Sequence, residues 1–175
     1  KINNDPKHFL LLSKIFYTIG KKEIGDDLIK KTANLFPSNL SVINFKGMRD
    51  LFDGNFESGW KSYEFRRSSL NKRYSEIPEW KGESLINKKI LVYNEQGIGD
   101  SIQFSKYLIA LSQICKNIDF LVDKKISKMF KDNYKKILII INEDLKIDKY
   151  NFKIPLGSLI KFFYKDINKF NETLI

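Results

Sequence analysis

The sequence predicts an α plus α/β fold, in which helical hairpins precede an incomplete Rossmann-like domain built on a parallel sheet. Two patterns carry this prediction. Residues 1–70 repeat with a period of 34 residues, which is typical of stacked helical hairpins. Residues 89–175 alternate short apolar runs with helical periodicity, as expected for parallel strands joined by helices. The polar, irregular residues 71–88 lie between the two patterns and are predicted to form a connector.

An offset of 34 residues places Gly20 on Gly54 and Gly25 on Gly59, which is the tetratricopeptide period. Gly20 and Gly54 fall where the first helix of each hairpin must end, a position that favours a residue without Cβ. Gly25 and Gly59 fall inside the second helices, where close helix approach calls for a small residue. The predicted helices form two pairs: Pro6–Ile19 with Lys22–Phe36, and Leu40–Phe52 with Phe56–Ser68.

A stack of such hairpins usually needs about three repeats to be stable. We therefore expect further repeats ahead of Lys1, or docking of the pair onto the second half of the chain. A groove for a protein partner is one functional interpretation of the hairpins. A spacer or a dimerisation surface is the other, and it is favoured because two hairpins offer little concave surface.

The connector contains Trp80, which is expected to pack against one of the domains because an indole is seldom left in water. After it, Phe104, Leu108, Leu111 and Cys115 share one helical stripe, so Cys115 is predicted to be a small buried hydrophobe and not a nucleophile. The predicted strands and helices of this half are, in chain order, Ile90–Tyr93, Ser101–Cys115, Ile118–Val122, Ile126–Tyr134, Ile137–Ile141, Phe152–Pro155 and Ser158–Phe163.

Composition excludes several classes of function. The net charge is +10, but arginines make up only four of the 31 basic residues, so no specific nucleic-acid partner is expected. One cysteine and one histidine exclude an internal disulfide and the common zinc sites, and no metal is predicted. The longest apolar runs are far shorter than the ~20 residues of a membrane-spanning helix, and no leader opens the sequence. A soluble, cytoplasmic protein is expected.

The segment Glu95–Asp100 lies between the first predicted strand and its helix, where open α/β sheets bind ligands. Gly97 and Gly99 permit positive φ and a close approach of a ligand to the backbone, and a helix N-terminus favours an anion. Asp100 is the candidate catalytic residue. The candidate ligand-binding residues are Glu95, Gln96, Gly97, Ile98, Gly99, Ser101 and Gln103.

Two other interpretations of this segment stay open. Asp100 and Gln103 have the spacing of a capping box, which accounts for both residues without any ligand. A dinucleotide fingerprint would need a third glycine where Ile102 stands, although Asp123 closes the second strand as that fingerprint requires.

Motifs in one order through the chain resemble bacterial tetratricopeptide-repeat proteins that end in a glycosyltransferase-like domain. They are Gly54–Trp60, Tyr63–Arg66, Pro78–Gly82, Ile90–Val92 and Glu95–Phe104. Such domains are similar to heptosyltransferases and O-linked N-acetylglucosamine transferases, which have two facing Rossmann domains (the GT-B type).

By that resemblance, Gly99 and Asp100 take the places of a Gly-Asp pair whose aspartate is the general base toward the acceptor hydroxyl. The acceptor would be a glycan or a protein. The resemblance further implies that the nucleotide-sugar donor is held by a second Rossmann domain beyond Ile175. No cofactor is then expected in this portion, which would be inactive alone. The alternative is a non-catalytic interaction module whose α/β part is degenerate.

Overall fold

The computed structural model describes residues 5–69 and 73–166 and has the predicted α plus α/β fold. The chain divides into two compact units, with the boundary between residues 71 and 72. The described part of the predicted connector, residues 73–88, therefore belongs to the second unit. No helix in the described ranges has both the length and the apolar character needed to cross a membrane.

Two helical hairpins make up the first unit. Their helices are α1 (Pro6–Thr18), α2 (Lys22–Leu35), α3 (Leu40–Phe52) and α4 (Phe56–Tyr63). The chain then continues as a 3₁₀ helix, Glu64–Ser69, so the prediction of an α-helix up to Ser68 is wrong over its last turn. At that point Arg66 donates through Nη1 to the carbonyl of Tyr63, at 3.2 Å, and its side chain satisfies a group at the end of α4.

The two hairpins turn in the same way. Gly20 has φ +77° and Gly54 has φ +83°, which confirms that both glycines occupy the left-handed position after the first helix. The N–H of Lys21 donates to Phe16 at 2.8 Å, and the N–H of Asn55 donates to Asp50 at 2.7 Å. Each is the long hydrogen bond of a Schellman motif, and the partners differ by 34 residues at both ends.

The second pair of glycines also has equivalent surroundings. A Cβ on Gly25 would lie 2.7 Å from the ring of Tyr17, and one on Gly59 would lie 2.6 Å from the side chain of Leu51. Both pairs again match at the 34-residue offset. The prediction that these glycines permit close helix approach is confirmed, and the residues that pack between the hairpins are Leu10, Ile29 and Val42, with Ala33, Phe36 and Phe45 around them.

The second unit is built on a parallel sheet. Its strands are β1 (Lys89–Tyr93), β2 (Asn117–Leu121), β3 (Leu138–Ile140) and β4 (Phe152–Pro155), in the order β3-β2-β1-β4. The four predicted strands are thus confirmed to within one or two residues at each end. Val92 at the centre pairs in register with Phe120 of β2 and Ile154 of β4.

The helices of this unit begin and end at slightly different residues from those predicted. They are α5 (Ile98–Phe104), α6 (Lys106–Ile114), α7 (Lys124–Asn133) and α8 (Ile160–Phe163). The single helix predicted over Ser101–Cys115 begins three residues earlier and is interrupted at Ser105, whose hydroxyl donates to the carbonyl of Ile102 at 2.8 Å. Its apolar stripe is buried as predicted, Cys115 included.

Residues 73–88 are not a free linker. Trp80 is only 2% exposed, and its ring centroid lies 4.4 Å from that of Phe162. The backbone N–H of Trp80 donates to Lys153 at 2.9 Å, and the N–H of Lys153 donates to Pro78 at 2.8 Å. This segment therefore extends the open edge of the sheet beside β4, and the prediction that Trp80 holds it to one domain is confirmed.

Candidate functional site

The order of the strands creates a topological switch point beside β1. The chain leaves β1 toward β2 on one side, whereas β4 pairs with β1 on the other side after a crossover from β3. Loops from the two carboxyl ends diverge at such a switch point, which is where open α/β sheets bind ligands. Here the two segments are Asn94–Gly97 after β1 and the 3₁₀ turn Leu156–Ser158 after β4, against which α5 packs.

The loop after β1 is held by a hydrogen bond to β2 and by a second one to the side chain of Asn94. The N–H of Asn94 donates to Leu121 at the end of β2, at 3.0 Å. The side-chain oxygen of Asn94 then accepts the N–H of Gln96 at 3.0 Å, forming a local turn. Glu95 and Gln96 are half-buried within it. The loop is thus fixed at both its strand end and its helix end.

Asp100 lies in the first turn of α5, at the carboxyl end of β1, as the sequence predicts. Its Oδ2 accepts the N–H of Gly97, the N-cap residue, at 3.1 Å. The predicted capping pair of Asp100 with Gln103 is wrong. The helix starts earlier than expected, so Asp100 is the third helical residue and reaches back to Gly97, while Gln103 is exposed one turn later.

Neither loop glycine uses left-handed backbone. Gly97 has φ −72° and ψ 174°, and the described glycines with positive φ are Gly20, Gly54 and Gly82. The positive φ that glycine permits at Gly97 and Gly99 is therefore not adopted at either position. Both are exposed, however, and a Cβ on Gly99 would meet no atom within 4 Å. The backbone of this turn is open to an approaching molecule.

The remaining candidates separate into exposed and buried side chains. Ile98 is 43% exposed at the start of α5. Ser101 is fully buried, and both its N–H and its hydroxyl donate to the carbonyl of Gly97, each at 3.0 Å. Ser101 therefore fixes the turn from within and does not face a ligand.

The residues of the dinucleotide interpretation are also in place at the sheet edge. Asp123 follows β2, and its Oδ1 accepts the N–H of Lys125 at 2.8 Å, so it is the N-cap of α7. Ile102 is half-exposed. Asp123 thus has a structural role comparable to that of Asp100, which makes the two carboxylates a matched pair for mutation.

A buried polar cluster escaped the sequence prediction. Asp119, in the middle of β2, is 2% exposed and accepts from the hydroxyl of Tyr150 at 2.8 Å and from Lys89 Nζ at 2.9 Å. Burial, together with the hydrogen bond to Asp119, raises the pKa of Tyr150. The sequence did hold one signal for this cluster, the charged residue Asp119 inside the apolar run Ile118–Val122. The cluster ties β1, β2 and the residues before β4 together, away from the carboxyl ends of the strands where the candidate site lies.

Lys153 of β4 is a second buried charge. Its Nζ donates to the carbonyls of Arg73 at 2.7 Å and Tyr74 at 2.6 Å, which anchors residues 73–77 to the sheet. Cys115 is buried too, and burial raises the pKa of its thiol, as expected for a residue that packs and does not react. Within residues 5–69 and 73–166, no three His, Cys, Asp or Glu side chains are grouped as metal ligands.

Comparison with known proteins gives one distant relative. The chain is 25% identical over 126 residues to the protein FlbA of Caulobacter vibrioides, an alignment that covers 67% of this chain and 21% of FlbA. The chain therefore spans about a fifth of the length of that relative. No family model matches the sequence, and no solved structure matches it significantly.

Proposed function

We propose that this chain is the acceptor-side portion of a tetratricopeptide-linked glycosyltransferase-like protein, which transfers a sugar from a nucleotide-sugar to an acceptor hydroxyl. The observation that carries the proposal is the place of Asp100, in the first turn of α5 beside the switch point of the sheet. The motif Glu95–Phe104 that resembles such transferases coincides with this turn.

The chemistry requires a base beside the acceptor. As the acceptor oxygen attacks the anomeric carbon, the bond from that carbon to the nucleotide phosphate breaks and the hydroxyl proton passes to Asp100. The exposed backbone at Gly97 and Gly99 leaves room for the acceptor next to the carboxylate. In this arrangement Gly97 orients Asp100 through its N–H, since the 3.1 Å bond fixes one carboxylate oxygen.

A paired substitution tests the role of Asp100. We expect Asp100→Asn in the full-length gene product to lower nucleotide release from a nucleotide-sugar by about 10²–10⁴-fold, the usual contribution of a general base. Asp123→Asn is the matched control, because Asp123 likewise accepts a backbone N–H at the N-terminus of a helix, and it should leave the rate unchanged. Equal rates for the two variants would show that Asp100 is only a cap. Loss of NAD binding in Asp123→Asn would favour the dinucleotide interpretation.

One observation favours the second candidate, a protein-interaction module. A groove of about 290 Å³ lies in the first unit between α1, α3 and the 3₁₀ helix. Among its lining residues is Asn44, whose Oδ1 is buried without a hydrogen-bond partner. Such a group usually has a partner in the functional state. Lys14 also lines the groove and favours an acidic residue in the peptide, whereas Arg66 is already paired with Glu64 at 2.9 Å.

Asn44→Leu tests whether the buried Oδ1 of Asn44 accepts a hydrogen bond from a bound peptide. If the groove binds a peptide that donates to Asn44, the substitution weakens the affinity for acidic peptides, measured by fluorescence anisotropy against a peptide array. The folded chain should then be equally or more stable, because an unpaired buried acceptor has been removed. Unchanged peptide affinity would reject the module.

A further inference from the structure

An apolar stripe on α1 is left uncovered within the first unit. Leu11 is 58% exposed, Ile15 46% and Ile19 57%. Spacing by four residues places Leu11 and Ile15 on one face of the helix, and Ile19 continues that line at its C-cap. Single exposed aliphatic residues are common on protein surfaces, but three in a row form a contiguous apolar patch, which is typical of a site that packs against another element.

The equivalent positions of the second hairpin show how these residues are used in the repeat. At the 34-residue offset, the equivalents of Leu11, Ile15 and Ile19 are Phe45, Arg49 and Asp53. All three of these contact the first hairpin. The stripe is therefore the position through which one hairpin binds the hairpin before it.

Each of the three contacts in the second hairpin is direct. The ring of Phe45 lies 6.2 Å from that of Tyr17, and the guanidinium of Arg49 lies 3.9 Å from the centre of the Tyr17 ring. Arg49 also pairs with Asp26 at 3.7 Å, and Asp53 pairs with Lys22 at 3.2 Å. The partners on the first hairpin come from the end of α1 and from the exposed face of α2.

We infer that the stripe Leu11, Ile15 and Ile19 binds a further helical hairpin of the same 34-residue type, placed ahead of α1 as the first hairpin is placed ahead of α3. The equivalence also defines the chemistry of that hairpin. Arg49 and Asp53 require Asp26 and Lys22 opposite them, whereas Ile15 and Ile19 carry no charge to match. The second helix of the docking hairpin therefore has apolar residues where α2 has Lys22 and Asp26.

An added hairpin tests the inference in the full chain. A copy of residues 6–39 is joined directly before Pro6, with Lys22→Leu and Asp26→Leu made in the copy only, so that the repeat continues in phase. We expect amide hydrogen exchange in α1 to slow by about tenfold or more, because the helix gains a packed neighbour. The matched control carries the same extension together with Ile15→Lys and Ile19→Lys in α1. Its amide exchange in α1 should be no slower than in the chain without the extension. Equal exchange in the two proteins overturns the inference.

Experiments on the chain without the extension distinguish a further hairpin from two other occupants of the stripe, a second copy of the chain and the second unit. Ile15→Lys and Ile19→Lys alter only exposed side chains, so the chain should still fold and should sediment as the parent does at every concentration. Self-association of the parent that these substitutions abolish would assign the stripe to a second copy. Faster amide exchange in residues 73–166 of the substituted chain would assign it to the second unit. Either result overturns the inference.

Discussion

Two helical glycines of this chain, Gly59 and Gly99, differ in the space around them. A Cβ on Gly59 would lie 2.6 Å from the Leu51 side chain and 2.9 Å from its backbone nitrogen, whereas one on Gly99 would meet nothing within 4 Å. The first glycine is required by packing between α3 and α4. The second is not required by packing among the described residues.

Alanine at these two positions should therefore change stability in opposite directions. Gly59→Ala forces backbone to shift, and overpacking of this kind lowers the free energy of unfolding by about 1–3 kcal/mol. Gly99→Ala has open space and ordinary helical backbone, so it should raise that free energy by about 0.4–1 kcal/mol through the unfolded state. Urea unfolding followed by circular dichroism measures both. A stabilising Gly59→Ala would contradict the close approach of the helices.

Gly99→Ala also has a functional readout. If a molecule approaches the backbone beside Asp100, the new methyl group obstructs it, and the more stable protein loses activity in the full-length gene product. A variant that is both more stable and fully active would show that Gly99 has no contact with substrate.

At the scale of elements, the segment before β1 depends on Trp80. This side chain is buried against Phe162, and its Nε1 donates to the carbonyl of Glu83 at 2.8 Å. Trp80→Ala should lower the free energy of unfolding by about 3–5 kcal/mol, the range for removing a large buried aromatic. Trp80→Phe keeps the ring packing and loses the hydrogen bond, so a smaller loss of about 1–2 kcal/mol is expected. Urea unfolding followed by circular dichroism measures both losses, and equal losses for the two variants would contradict separate contributions of ring packing and hydrogen bond.

The elements that sequence predicted well are those with a strong local pattern. The four strands read as apolar runs because both faces of the sheet are covered, and the hairpins read from the 34-residue period. The attachment of residues 73–88 to β4 left no such pattern, because the hydrogen bonds between Pro78, Trp80 and Lys153 join residues more than 70 positions apart. Only its tryptophan pointed to burial.

The candidate site was predictable in position but not in detail. The order strand, glycine-containing loop, helix placed Asp100 at the carboxyl end of β1. Its partner was not predictable, since Gly97 has no side chain to mark it as the N-cap, whereas Asp100 has the side chain that N-caps favour. The positive φ that glycine permits is not adopted at Gly97 or Gly99, because an extended N-cap followed by a helix needs no left-handed residue.

At the scale of the whole molecule, each described unit has a feature that a further element could cover. The first carries the apolar stripe Leu11, Ile15 and Ile19, whose equivalents in the second hairpin contact the first hairpin. The second has, among its described residues, a four-stranded sheet with a switch point beside β1. A donor and an acceptor held between two facing Rossmann domains would need a second such sheet across from this switch point.

The proposed function predicts how the chain binds ligands. In a two-domain transferase the nucleotide of the donor is held mainly by the second Rossmann domain, so the 175-residue chain should bind nucleotide-sugars weakly and transfer no sugar. Without a positioned donor, Asp100 would act on a bimolecular encounter and forgo the ~7–11 kcal/mol that fixed geometry supplies. Calorimetric titration with a panel of nucleotide-sugars and with NAD is the measurement, and the Asp100→Asn and Asp123→Asn variants are its controls. Tight binding of a nucleotide-sugar would place the donor site in this half, against the proposal. Tight binding of NAD that Asp123→Asn abolishes would instead identify the switch point beside β1 as a dinucleotide site.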